Sequence, residues 1–91
     1  MNLTTITLDW LRERRACRKG VEWFEQRSDL HDAEWPTVCA ALKADGRHDW
    51  SLWVRVMVAI YGTAADRKAL RNDPSAWVRE VVARYGYGEN Q

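Results

Sequence analysis

The residues best suited to chemistry in this chain are two cysteines and two histidines, Cys17, His31, Cys39 and His48. All four are zinc ligand types, but structural zinc sites pair cysteines two to four residues apart and histidines three to five apart. Here the gaps are 13, 7 and 8 residues, so no metal site is expected. Cys17 lies among Arg14, Arg15, Arg18 and Lys19, cations that would favour its thiolate and make it a nucleophile. Neither a general base nor an oxyanion-stabilising loop accompanies it, and the chain holds no Gly-rich phosphate loop, nucleophile elbow or HExxH pair. A non-enzyme without a cofactor is expected. With no CxxC spacing and no export signal, both thiols are expected to be reduced and buried, as free cysteines commonly are.

The elements that position these side chains begin with composition. The 91 residues are 46% apolar and 30% charged, with 14 Lys and Arg against 13 Asp and Glu. That describes one ordinary globular domain spanning residues 1–91, with neither the composition of disorder nor an apolar run able to cross a membrane. A net charge of +1 removes the strongest argument for nonspecific nucleic-acid binding, which needs an excess of phosphate-neutralising cations. The absence of a signal peptide at the start leads to the expectation of a soluble, cytoplasmic protein. So small a domain needs large apolar side chains to close its core, and six tryptophans spread from Trp10 to Trp77 supply them.

The organising signal is an internal repeat. Asp49 to Gly62 matches Asp73 to Gly86 at nine of fourteen positions, at an offset of 24 residues. Each copy reads as a helix: Asp49 or Asp73 as N-cap, Pro74 in the first turn of the second copy, and Gly62 or Gly86 as a left-handed C-terminal residue. Trp77, Val78, Val81, Val82 and Tyr85 share one helical face. Thr63 and Asp66 form a capping box for a short helix between the copies. Before the repeat, Thr7 caps a helix from Leu8 to about Arg15, and residues 16–27 carry a second with Cys17, Val21 and Phe24 on one face. Pro36 opens a third, with Val38, Cys39 and Leu42 inward and an end near Gly46. The expected fold is all-α, with five or six short helices: an N-terminal set over residues 8–46 capping a repeat pair over residues 49–86.

The two copies differ along one stripe. Leu52, Val56 and Ile60 in the first become Ala76, Glu80 and Arg84 in the second. An internal repeat buries both sides whereas a terminal one needs a polar outer side, so the second copy reads as the C-terminal end of the stack.

The 24-residue pattern of Asp, Pro, Ser, Val-Arg and Val-Ala resembles variant leucine-rich repeats and, more loosely, HEAT-like repeats, which implies a stacked helical binding scaffold. Leu11 to Phe24 resembles the start of small proteins encoded by bacteria and their phages. That resemblance implies a mobile-element inhibitor of a bacterial machine, of the anti-CRISPR kind, whose partner is a bacterial protein or complex. The protein itself would be a monomer or homodimer with no membrane contact.

Charge along the chain is segregated: residues 12–27 carry six cations and three anions, and residues 28–49 carry two cations and five anions. Arg12, Arg14, Arg15, Arg18 and Lys19 are therefore the candidate partner-binding patch, with Trp23 as a candidate anchor because tryptophan is enriched at binding hot spots. Their ordinary alternative is a solvated helix face, and for Trp23 a place in the core. The second functional reading is a nucleic-acid-binding module that adds Arg55, Arg79 and Arg84 to this patch. Against it, Arg55 and Arg79 recur with Asp49 and Asp73, which suits an arginine-to-aspartate ladder between repeats.

Overall fold

The computed structural model describes residues 3–86, and among these it is an all-α fold of six helices. In order they are α1 (Leu8–Glu13), α2 (Arg18–Glu25), α3 (Trp35–Ala44), α4 (His48–Tyr61), α5 (Ala64–Leu70) and α6 (Ala76–Tyr85), with a 3-10 turn at Ser28–Leu30 between α2 and α3. The first repeat copy forms α4 and the second forms α6; α4 packs on α3, α5 and α6.

Local chemistry sets most boundaries. The Thr7 hydroxyl accepts from the Trp10 amide at 3.0 Å and starts α1. The end of α1 is a paired C-terminal turn, in which the Arg15 amide donates to Arg12 O at 3.0 Å and the Ala16 amide to Leu11 O at 2.9 Å. This motif ordinarily places glycine in the left-handed position, yet Arg15 occupies it with φ 60°. At α5 the capping box is complete: Asp66 N donates to Thr63 Oγ1 and Thr63 N donates to an Asp66 carboxylate oxygen.

The repeat helices are capped differently from the expectation. Arg47 precedes α4 with no side-chain cap bond, and Asp49 lies inside the first turn, where its charge suits the helix dipole. Ser75 caps α6, leaving Pro74 outside the helix, because the Asp73 carboxylate is turned toward Arg55 and toward the Ser75 amide, from which it accepts at 3.0 Å. Gly86 has the expected positive φ, 74°, but with ψ −172° it is extended rather than left-handed helical, a conformation open essentially to glycine alone. Gly62 has a negative φ, −84°; glycine is required there because a Cβ would collide with Val58 O and with the Asp66 carboxylate.

One core cluster runs from Ile6 through Trp10, Phe24, Trp35 and Leu42 to Val82. Cys39 lies within it, as expected. Val56 is 1% exposed, with Leu52 and Ile60 packed against the cluster, so the extra apolar stripe of α4 is covered within the chain. Trp77 and Tyr85 depart from the core face assigned to them and are 57% and 43% exposed. Only Val78, Val81 and Val82 of α6 turn fully inward, because α6 has neighbours in α4 and α5 alone among the larger helix contacts.

Two polar groups tie distant segments together. Asp66 is buried and accepts from Thr4 N at 2.8 Å, from Thr4 Oγ1, from Trp35 Nε1 at 3.0 Å and from Thr63 N at 2.8 Å. Burial opposes its charge, but these donors outweigh that cost and hold its carboxyl below the ordinary 3.8. Arg67 donates to Ala59 O, Gly62 O and Gly86 O, joining the carbonyl ends of both repeat helices.

Candidate interaction cleft

The six residues assigned to partner binding divide into distinct roles. Arg14 does not belong to an exposed patch. Its side chain is 19% exposed, and its guanidinium lies 4.9 Å from the Trp10 ring and 5.0 Å from the Tyr61 ring, so it fastens α1 to α4 by cation–π contact. Arg12 is exposed and lies 3.8 Å from Glu25, linking α1 to α2. Arg18, on the first turn of α2, meets Glu22 one turn on at 3.3 Å, a solvent-exposed pair that contributes little. Lys19 is exposed. Trp23 is half-buried; its Nε1 donates to Asp45 at 2.7 Å, while Arg27 lies over its ring at 5.3 Å. Arg27 is in turn held by a bidentate contact to Asp29 at 3.0 and 2.9 Å, which raises the Arg27 pKa and lowers that of Asp29.

Arg15 and Trp23 come together with residues that the sequence did not mark as a site. They border an open cleft of about 340 Å³ between the α1–α2 corner and the α3–α4 pair. Its floor consists of the buried side chains Leu11, Phe24, Val38, Leu42 and Val54. Half-buried Trp23, Trp50 and Trp53 form the sides, and exposed Arg15, Cys17 and Asp49 stand at the rim. Trp53 is held from behind by Trp10, edge to face at 6.1 Å and 82°, and Arg47 lies over Trp50 at 4.7 Å. A mostly apolar concavity with a few polar groups at its edge is the ordinary form of a binding pocket, and this volume falls in the usual range of about 300 to 1,000 Å³.

Trp50, Trp53 and Asp49 were absorbed into the repeat as helix and cap residues, so their part in the cleft was missed. The available signal was the doubling of tryptophan at Trp50 and Trp53 in the first copy, where the second has Pro74 and Trp77.

The expectation of two buried thiols fails at Cys17, which is exposed. It is the residue preceding α2, with extended backbone (φ −65°, ψ 154°), and therefore sits on the corner rather than on the inward face that Val21 and Phe24 share. Cys39 is buried and donates to Ser51 O at 3.7 Å; burial pushes its thiol up to about 11.

Arg55 and Arg79 are engaged inside the repeat. Arg55 Nη1 donates to both Asp73 carboxylate oxygens, at 2.8 and 2.7 Å, and Arg79 donates to Asp73 O. Among the described residues no three His, Cys, Asp or Glu side chains come close enough together to hold a metal ion, and no helix is long and apolar enough to cross a membrane. Comparison with protein-family models, curated proteins and solved structures returns no match for this chain.

Proposed function

We propose that this chain is a non-enzymatic protein-interaction module that docks on another protein through the α1–α2 corner. The observation that carries this reading is the placement of an open, tryptophan-sided cleft beside the exposed cations Arg15, Arg18 and Lys19. Buried aromatic anchors with a charged surround are the usual make-up of a protein-binding hot spot. The α4–α6 pair serves as a HEAT-like repeat scaffold for that corner. The resemblance of the N-terminal segment to small bacterial and phage-encoded proteins supports reading the module as a mobile-element inhibitor of a bacterial machine in the cytoplasm of the host, of the anti-CRISPR kind.

The nucleic-acid reading ranks second. Two of its arginines, Arg55 and Arg79, already satisfy Asp73, which leaves too short a cationic row to track a phosphate backbone.

The test is affinity capture from bacterial lysate, with and without nuclease, comparing the wild type with Arg15→Glu/Arg18→Glu/Lys19→Glu. The expected result is a protein partner retained after nuclease treatment and lost by the charge-reversed variant. Capture that disappears with nuclease would favour the nucleic-acid reading instead.

A further inference from the structure

We infer that the cleft is an anchor pocket for an aromatic side chain carried on an acidic segment of the partner, with Arg15 contacting the flanking carboxylate. This rests on the protein-binding reading and names what the cleft takes. The shape comes from the walls: Trp23, Trp50 and Trp53 line the opening over an apolar floor that includes Phe24, which favours a ring stacked edge to face or offset against them.

The sign of the flanking charge comes from the charges around the mouth. Arg15 lines the cleft and has no ion-pair partner among the described residues. Lys19 and Arg18 are exposed on the adjoining first turn of α2. Arg18 is paired with Glu22, while Asp45, bonded to Trp23 Nε1, and Arg47, over the Trp50 ring, keep their opposite charges. Asp49 is the remaining anion on the lining. The α1–α2 side of the mouth, where Arg15 and Lys19 stand outside any ion pair among the described residues, is therefore cationic, and a carboxylate beside the anchor on that side meets Arg15.

The position of Arg15 is itself informative. Its left-handed backbone ends α1 where glycine would be unstrained, so an arginine there is held at the rim despite a conformational cost. Such strain is common where a side chain must be aimed. Asp49 supplies an opposite control, since it repels an acidic segment.

A short capped peptide with phenylalanine between two glutamates is the probe, titrated while following the tryptophan fluorescence of the protein. The expected result is binding at least about tenfold tighter than that of the same peptide with lysines in place of glutamates, and no binding when alanine replaces phenylalanine. Arg15→Gly should erase the tenfold preference without lowering the melting temperature, because glycine adopts the left-handed position freely. Asp49→Asn should tighten binding of the glutamate peptide. Equal binding of the two charged peptides, a preference for lysine, no binding at millimolar peptide, or indifference to Arg15→Gly would each overturn the inference. If any of these occurs while the charge-reversed triple variant still loses its captured partner, the anchor assignment fails and the protein-binding reading stands.

Discussion

Arg55 and Asp73 form a nearly enclosed ion pair, 2.7 Å apart with side chains 11% and 6% exposed, that joins α4 to the segment leading into α6. Eighteen residues separate the partners, and the Arg79 guanidinium closes on the backbone carbonyl of the same aspartate. The repeat is thus locked by its own recurring residues: an arginine of the first copy is neutralised by the aspartate that opens the second.

Removing one partner leaves the other charged and buried, which costs far more than the net worth of the intact pair. Arg55→Ala or Asp73→Ala is expected to destabilise the fold by about 3 to 5 kcal/mol. Urea denaturation followed by circular dichroism measures this directly. A loss below about 1 kcal/mol would mean that the pair is solvated like a surface bridge.

Asp66 makes stability depend on acid. Its carboxyl lies below the ordinary 3.8 in the folded chain, so the folded state favours the ionised form. The resulting stabilisation is fully present above 3.8 and is lost as pH falls through the lower folded value. Urea midpoints measured from neutral pH down to about pH 3 should therefore fall on the acid side. Asp66→Asn should flatten that limb and lower stability at neutral pH by about 1.5 to 3 kcal/mol, because an amide replaces one accepting oxygen with a donor facing other donors. An unchanged acid limb in the variant would reject the assignment.

How far the sequence revealed the fold is clearest at this aspartate. The contact of Asp66 with Thr63 was legible because the two are three residues apart, the spacing of a capping box. Its bonds to Thr4 and Trp35 cross 62 and 31 residues, and no local spacing encodes them. The same division holds at the cleft. Periodicity correctly turned Phe24, Val38 and Leu42 inward, and the charge run over residues 12–27 contains Arg15, which lines the cleft. That Trp23 lines one cleft with Trp50 and Trp53 depends on where α2 lies relative to α3 and α4, a tertiary relation outside the reach of helical phase. Cys17 was misplaced because it precedes the first residue of α2 and so does not follow that phase.

The two thiols should differ sharply in reactivity. Cys17 is exposed and should react promptly with a thiol reagent at neutral pH, whereas Cys39, buried and pushed up to about 11, should react only as the chain unfolds. Mass spectrometry of the native protein would then show a single adduct, mapped to Cys17. Early labelling of Cys39 would contradict its place in the core.

Val56 distinguishes the inner repeat from the outer one. Val56→Asp puts an unpaired charge at a site 1% exposed and should cost about 3 to 5 kcal/mol, a large share of a total of roughly 5 to 15 kcal/mol. At the matching position of α6 the chain already carries exposed Glu80, so Glu80→Ala should shift stability by less than about 0.5 kcal/mol. Comparable thermal melts for the two variants would refute the assignment of α4 as the inner helix.

The central claim is that the α1–α2 corner, and not another face, meets the partner. Site-specific photo-crosslinking tests it most directly, with a photoreactive residue placed at exposed Arg18 on α2 in one variant and at exposed Lys68 on α5 in another. Both would be irradiated in bacterial lysate treated with nuclease. The account expects a discrete protein adduct from position 18, suppressed by excess unlabelled wild type, and none from position 68. An adduct from position 68 with none from position 18 would place the interface elsewhere and contradict the account.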